Sequence, residues 1–272
     1  YTLEEPGMIV EPDTFHMHLR ELKKHFDIVR FSEWLDHVKN GHPLPKRCCV
    51  ITFDDGWYDN LEFGLPLLQQ EKVPATLFAV VDKIGTEFQF WPNIISLLLS
   101  SDNRNTLTVE PIFSKAFSVL GEPPQKVDRE YTASLIHHLK QYDDHLLYSM
   151  LERLEWKRQV STDIPRALMT WDELQRMEKS GLVDIGCHTA THQRLDAQLT
   201  PDTLVNEIVS SRETLSKHIA KPVDIFCFPN GDYNPAALEL VKQHYDAAVT
   251  TKRGIVTPAA KDLHQLTRIG IH

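Results

Sequence analysis

Short apolar runs alternate with segments of helical periodicity along most of this 272-residue chain. Each apolar run is bounded by turn residues and has the length of a strand. The predicted strands are residues 28–31, 48–53, 73–81, 182–189, 223–229, 247–251 and 266–271. Repeated strand–helix units predict parallel strands joined by right-handed crossovers. The fold expected is therefore α/β, a distorted, TIM-barrel-like (β/α) barrel of about seven strands.

Helix start signals support the same alternation. Ser32 is expected to cap a helix that stops at Gly41. Thr170 has a glutamate three residues later, which is the capping-box pattern. Thr200 and Asn234 each precede a proline, a residue favoured in the first helical turn.

One segment breaks the alternation. Residues 85–165 show no strand pattern, and within them Asp128–Lys157 reads as one or two helices rich in Leu, His and Tyr. We predict a single domain over residues 1–272 with a helical insertion at 85–165. The insertion is expected to shape substrate choice or a subunit contact.

Charge and apolar runs exclude some classes of partner. The formal net charge is −9 and no basic run is present, which argues against binding to nucleic acid or anionic lipid. No apolar run approaches the ~20 residues that a membrane span needs, and no signal-peptide pattern is present. Adjacent Cys48 and Cys49 face opposite ways on a strand, so no disulfide framework is expected. The cysteines favour a reducing, cytoplasmic compartment.

Polar groups follow several of the predicted strands. Asp54 and Asp55 end the strand at 48–53, His188 and His192 follow the strand at 182–189, and His272 follows the last strand. In α/β barrels the reactive groups lie at the carboxyl ends of the strands. One carboxylate and two imidazoles are a common ligand set for zinc and related divalent metals. The alternatives are an Asp-Gly turn and two polar loop histidines.

The quoted residues resemble a known family. "TFDDG" (52–56) and "HTATH" (188–192) resemble the first two motifs of the polysaccharide deacetylases, carbohydrate esterase family 4, whose domain is the NodB-homology domain. "FCFPNGDYN" (226–234) resembles the third motif. The resemblance spans about residues 48–84 and 166–272.

The resemblance implies a role for each matching residue. Asp54 would be the general base, and Asp55, His188 and His192 would hold a divalent metal ion, Zn²⁺ in first place, with Co²⁺ or Ni²⁺ as alternatives. His272 occupies roughly the place of the catalytic histidine, the general acid. In the third motif Pro229, Asn230 and Gly231 would form the groove wall, and the Asn230 N–H would bind the oxyanion. Trp57, Tyr58 and Trp91 are candidates for stacking on sugar rings, with core packing as the alternative.

Three departures from the family pattern concern the remaining motifs. Cys227 stands where many members have arginine in the third motif, and Gly270 stands where the fifth motif has leucine. The fourth motif is not recognisable in "TTKRGIVTPAAKD" (250–262). The residues assigned to the metal and the base are nevertheless intact.

The function expected is a metal-dependent hydrolase that removes an N-acyl group, in first place N-acetyl, from an amino sugar in a polysaccharide or glycolipid. An alternative is a catalytically inactive carbohydrate-binding member of the same fold. An aspartate-nucleophile phosphatase is disfavoured, because such enzymes have one residue between their two aspartates. The resemblance also implies a place at the cell envelope, in contrast to the cysteines.

Overall fold

The structure is a computed structural model. It describes residues 9–124, 126–160, 164–196, 199–256 and 262–271. The chain divides into two compact units. Residues 11–87 and 167–271 form the strand unit, and residues 88–166 belong to the helical unit.

All strands of the described chain lie in the strand unit and are short. They are β1 (Asp27–Ile28), β2 (Cys48–Cys49), β3 (Thr52–Phe53), β4 (Ala75–Ala79), β5 (Val183–Cys187), β6 (Ile225–Cys227), β7 (Ala247–Arg253) and β8 (Leu266–Arg268). Strands β3 to β8 form a six-stranded sheet in sequence order, in which all neighbours are parallel. Strands β1 and β2 form a separate parallel pair. The sequence order means that each crossover leads to the adjacent strand.

Within the described ranges, twelve α-helices connect the strands or build the helical unit. They are α1 (Pro12–His25), α2 (Phe31–Asn40), α3 (Leu65–Glu71), α4 (Trp91–Ser100), α5 (Pro111–Leu120), α6 (Arg129–Leu139), α7 (Asp144–Arg153), α8 (Trp156–Gln159), α9 (Trp171–Lys179), α10 (Pro201–Val205), α11 (Ser211–Ile219) and α12 (Pro235–His244). Two π-helical turns, Asn60–Gly64 and Asn206–Ser210, lead into α3 and α11. Among the described residues, no helix is long and apolar enough to cross a membrane.

The sheet is buried on both faces. All five residues of β4 and all three residues of β6 are buried, which explains why they read as continuous apolar runs. One cluster packs Phe78 of β4 and Ile225 of β6 against Phe31 and Leu35 of α2. The rigid sheet therefore fixes the positions of the loops that leave its carboxyl edge.

The two ends of the sheet approach each other through one side chain. The guanidinium of Arg268, on β8, donates a hydrogen bond of 3.2 Å to the hydroxyl of Thr52, on β3. No backbone pairing joins these two strands within the described ranges. The sheet is thus a curled half-barrel with α-helices around it, and the predicted barrel-like α/β fold is confirmed.

The helical unit has a core of its own. Helices α4 to α8 pack around buried residues such as Ile95, Leu98 and Phe113. The indole N–H of Trp91, a residue that is only 6% exposed, donates to the carboxylate of Asp144 at 3.1 Å. Within residues 88–166, the described part contains helices and turns and no strand.

Local predictions were confirmed at three helix starts and wrong at two other places. The side chains of Thr170, Thr200 and Asn234 accept hydrogen bonds from backbone N–H groups of the first turn, as predicted. Helix α2 instead begins one residue before Ser32, because its Glu33 side chain reaches back to an earlier backbone N–H. The predicted strand 48–53 is two strands, because β2 pairs with β1 whereas β3 pairs with β4.

Candidate active site and metal centre

The candidate site lies at the carboxyl edge of the six-stranded sheet. Asp54 and Asp55 directly follow β3, and His188 directly follows β5. Strand β4 lies between β3 and β5, and residues at its end bond to the loops that follow these two strands. The N–H of Val80 donates to the Asp55 carbonyl at 3.2 Å, and the N–H of His188 donates to the Ala79 carbonyl at 2.9 Å. The predicted strand-end residues are therefore brought together by the sheet order.

The turn after β3 uses backbone conformations that few residues adopt. Asp55 has a φ of 73° and Gly56 a φ of 90°. A Cβ at Gly56 would come within 3.1 Å of the Ile84 side chain, so glycine suits this position for two reasons. This conformation sends Asp54 and Asp55 to different partners, although they are adjacent in sequence.

The loop that carries the two histidines is strained and well bonded. Thr189 and His192 each have a φ of 66°, a region that non-glycine residues rarely occupy. The hydroxyl of Thr189 accepts a hydrogen bond of 3.0 Å from the N–H of His192. Glu207, only 3% exposed, accepts two hydrogen bonds from Thr191, at 2.9 Å from its N–H and 2.7 Å from its hydroxyl. Glu207 holds the loop in this shape, and no motif or spacing in the sequence marks this role.

Asp55, His188 and His192 converge on one point. Oδ1 of Asp55 lies 3.4 Å from Nε2 of His188 and 3.4 Å from Nε2 of His192. The Nδ1 of His188 is 2.7 Å from the Cys227 carbonyl, an acceptor, so Nδ1 carries a proton and Nε2 is the nitrogen that would bind a metal ion once it is deprotonated.

This arrangement fits a divalent metal ion. Oδ1 of Asp55 is buried and has no hydrogen-bond partner among the described residues. Two ligand atoms bound at about 2.0–2.1 Å to one tetrahedral zinc ion are separated by about 3.3 Å. The two 3.4 Å separations match that spacing. The three side chains can hold a cation and leave further positions for water and substrate.

The same contacts affect the pKa of the aspartate. Burial by itself raises the pKa of Asp55, but the facing imidazoles of His188 and His192 and the Trp57 N–H lower it to about 2. Asp55 is therefore ionised at neutral pH. Burial by itself lowers the pKa of His188, but the neighbouring Cys227 and the facing Asp55 carboxylate hold it well above its usual value.

Asp54 is held by an arginine that the sequence analysis did not single out. Arg268 donates to Oδ1 of Asp54 at 2.7 Å and to Oδ2 at 2.8 Å, which is a bidentate ion pair. The same guanidinium donates to the Thr250 carbonyl at 2.9 Å and lies 3.3 Å from the sulfur of Cys227. The fifth hydrogen bond, to Thr52, is the one that links the ends of the sheet. Nothing in the local sequence around "LTRIG" marks this role.

A second cluster of ligand-type atoms is less suited to a metal. Asp54, His188 and Cys227 also lie close enough together to share an ion. Burial raises the pKa of the Cys227 thiol, so the sulfur is neutral rather than a thiolate. The positive guanidinium of Arg268 already contacts both Asp54 and Cys227. Asp55, His188 and His192 are therefore the better candidates for metal ligands.

The third-motif residues form a tight turn after β6. Pro229, Asn230 and Gly231 make one turn of 3₁₀ helix, in which Asn230 has a φ of 55°. A Cβ at Gly231 would lie 2.2 Å from the hydroxyl oxygen of Thr251, so only glycine fits there. That hydroxyl donates to the Asn230 carbonyl at 2.8 Å. The Asn230 N–H makes no hydrogen bond to any described residue, and Asn230 is exposed.

Of the remaining predicted site residues, one contacts a predicted metal ligand, one begins a helical segment and one lies outside the described residues. The indole N–H of Trp57 donates to Oδ2 of Asp55 at 2.9 Å, so this side chain contacts a predicted ligand. Tyr58 begins the helical segment that follows, and its backbone N–H donates to the Ala167 carbonyl. His272 lies outside the described residues.

Comparisons with known proteins agree with the site. The profile of the family described as "Polysaccharide deacetylase" matches residues 41–105 and 122–247. The match includes both aspartates and both histidines, whereas Arg268 and His272 lie beyond it. No curated protein sequence matches the chain significantly.

Solved structures of deacetylases have a similar fold. The deacetylase PplD from Streptococcus pyogenes, in complex with acetate, has a TM-score of 0.62 at 20% identity, covering 97% of this chain and 82% of that protein. The de-N-acetylase from Aggregatibacter actinomycetemcomitans has a TM-score of 0.61 at 17% identity, covering 100% and 90%. The putative polysaccharide deacetylase BA0330 from Bacillus anthracis has a TM-score of 0.59 at 18% identity, covering 96% and 57%.

The sequence match extends over more than half of the chain, and the structural similarity is independent support for the fold. The four motif side chains on which the resemblance rested lie together at one sheet edge. The chain therefore belongs to the polysaccharide deacetylase family and is a hydrolase of carbon–nitrogen amide bonds.

Proposed function

We propose that this protein is a metal-dependent deacetylase that removes the N-acetyl group from an amino sugar in a polysaccharide or glycolipid. The single observation that carries the metal dependence is the convergence of Asp55, His188 and His192, with the Asp55 oxygen buried and unpartnered among the described residues. Membership of the family supports the deacetylation. The metal that we expect first is Zn²⁺, with Co²⁺ or Ni²⁺ as substitutes.

The ligands and the base have separate tasks in this proposal. A divalent cation held by Asp55, His188 and His192 would act as a Lewis acid and lower the pKa of water at the site toward ~7. Asp54, which does not belong to this ligand set, accepts the proton of the attacking water. Arg268 keeps both oxygens of Asp54 in a fixed plane, so that the base is oriented before the substrate arrives.

Two further residues would complete the reaction. The exposed N–H of Asn230 is a donor available to the oxyanion of the tetrahedral intermediate, which supports the role that the family resemblance implies. His272 would donate a proton to the leaving amine. Imidazole has a pKa near ~6.5, which suits proton transfer at neutral pH.

The proposal is tested with metal-depleted protein that is reloaded with Zn²⁺, Co²⁺ or Ni²⁺. Acetate release and free amine are measured on N-acetylglucosamine oligomers of different linkage. Asp55→Ala is expected to lose the metal and the activity together. Asp54→Asn is expected to keep the metal and lose activity by roughly 10²-fold or more. Asp102→Asn, an exposed carboxylate in the helical unit, serves as the control and should match the wild type.

The outcomes separate the alternatives. Protein that binds metal but releases no acetate from any of these glycans would support the inactive carbohydrate-binding alternative. If Asp54→Asn removes the metal while Asp55→Ala retains it, the two roles are reversed. For His272→Ala, the acid role predicts intact metal, a large loss of turnover and loss of the alkaline limb of the pH–rate profile.

A further inference from the structure

Trp57 is tied to the proposed metal ligand Asp55 in a way that packing alone does not require. The indole N–H can only donate a hydrogen bond, and it does so to Oδ2 of Asp55 at 2.9 Å. The other oxygen, Oδ1, faces the two imidazoles and has no hydrogen-bond partner within the described ranges. The Trp57 indole therefore gives the two oxygens of the Asp55 carboxylate different surroundings: Oδ2 accepts its hydrogen bond and Oδ1 does not.

The backbone around Trp57 is fixed from both sides. The N–H of Met169 donates to the Gly56 carbonyl at 3.0 Å, and the N–H of Tyr58 donates to the Ala167 carbonyl at 2.8 Å. Trp57 itself forms an antiparallel bridge with Leu168. These contacts place the indole next to Asp55 independently of any metal ion or substrate.

We propose that Trp57 is a positioning residue for the metal: its N–H holds the Asp55 carboxylate so that Oδ1 alone is presented to the cation. The inference rests on the metal site of the proposed function and assigns Trp57 a role different from sugar stacking. Hydrogen bonds that orient a ligand change metal affinity by about 10- to 100-fold in other metalloproteins. Because the indole reaches the ligand and not the ion, its loss should weaken metal binding without abolishing it.

The test separates the N–H from the ring. Trp57→Phe keeps an aromatic face and removes the donor, and replacement by 3-benzothienylalanine keeps the bicyclic shape and removes only the N–H. The dissociation constant for Zn²⁺ is measured by competition with a chromophoric chelator, and the Co²⁺ absorption spectrum reports the ligand geometry. Neither readout depends on turnover.

The chain contains a matched control. Trp91 donates to the carboxylate of Asp144 at 3.1 Å in the helical unit, which is the same type of hydrogen bond in a unit without the three ligands. Trp91→Phe should leave Zn²⁺ affinity within about 2-fold of the wild type. Both Trp57 variants should weaken it by about 10- to 100-fold. Thermal unfolding of each protein identifies any variant whose effect comes from misfolding. If Trp57→Phe is misfolded, the Zn²⁺ affinity of the benzothienyl variant decides whether the N–H positions the ligand.

Two outcomes would overturn the inference. Zn²⁺ affinity of the benzothienyl variant within about 2-fold of the wild type would mean that the N–H does not position the ligand. A rise in KM for Trp57→Phe with unchanged metal affinity would make Trp57 a sugar contact instead. Failure of the wild type itself to bind metal, with Asp55→Ala indistinguishable from it, would instead refute the proposed function on which the inference depends.

Discussion

Replacing Arg268 tests whether orientation of Asp54 is separable from metal binding. In Arg268→Met, Asp54 loses both of its 2.7–2.8 Å hydrogen bonds, and the Thr250 carbonyl loses its side-chain donor. A hydrogen bond to a charged group contributes about 1.5–3 kcal/mol when it is well shielded. The Arg268 and Asp54 side chains are 20% and 32% exposed, so solvent screening reduces the total. We expect the free energy of unfolding to fall by about 2–4 kcal/mol.

The effect on catalysis should be distinct from the effect on stability. An Asp54 carboxylate that is free to rotate is misplaced as a base, and we expect kcat to fall by about 10²-fold with Zn²⁺ affinity unchanged. Arg268→Lys keeps the charge and cannot form the bidentate pair, so it should recover only part of the loss. Unfolding is followed in denaturant, and acetate release and Zn²⁺ competition are measured on the same samples.

The helical unit provides a control for losing a bidentate ion pair. Arg153 donates to the two oxygens of Glu110 at 3.0 Å and 2.8 Å. Arg153→Met should lower stability and leave kcat of the folded protein unchanged. The reasoning fails if Arg268→Met retains wild-type kcat, or if it loses Zn²⁺, because the guanidinium would then act on something other than the orientation of Asp54.

Three further predictions follow from the site. Glu207→Ala removes two hydrogen bonds from the histidine loop and should weaken Zn²⁺ binding by about 10-fold or more; unchanged affinity in the chelator competition would contradict this. Gly231→Ala should lower the free energy of unfolding, measured in denaturant, by several kcal/mol more than Gly181→Ala. Both glycines have a positive φ, but only a Cβ at Gly231 would clash, with Thr251. Equal decreases in the free energy of unfolding would disprove the clash. Since the pKa of His188 is raised in the metal-free protein, its stabilising effect is present below pH ~6.5 and is lost as pH rises through the raised pKa. Zn²⁺ must displace that proton, so calorimetry in buffers of different ionisation enthalpy should detect proton release that grows as pH falls; its absence would contradict the shift.

The sequence predicted the site best where residues that can bind a metal directly follow a predicted strand. Asp55, His188 and His192 were predicted as a group because parallel strands bring their carboxyl ends to one edge. Their convergence depends on sheet order, which strand–helix alternation already implies. The exact turn conformations, such as the positive φ of Thr189, could not be read from the residue types, because β-branched residues rarely adopt such angles.

Arg268 was missed for a different physical reason. It lies 214 residues from Asp54 in sequence, and the two meet only because the sheet curls until its end strands face each other. The degree of curl is a property of the whole sheet and leaves no local signal. One indirect signal was present: Cys227 stands where many family members have arginine, and the structure places the Arg268 guanidinium 3.3 Å from the Cys227 sulfur. A missing cation in one motif can therefore prompt a search for a replacement on another strand.

The adjacent Asp54 and Asp55 show how two like charges can follow one strand. Among the described residues, the hydrogen-bond donors to the Asp54 side chain differ from those to the Asp55 side chain. Asp54 binds the guanidinium of Arg268, whereas Asp55 faces two imidazoles and the indole N–H of Trp57. An extended strand would place these adjacent side chains on opposite faces, whereas the left-handed backbone at Asp55 keeps both of them at the carboxyl edge of the sheet, each with its own partners. Because the two partners are distinct, one carboxylate can stay available for proton transfer while the other remains a permanent anion for the cation. The backbone of the turn thus supports the proposed division of roles, in which Asp54 is the base and Asp55 a metal ligand.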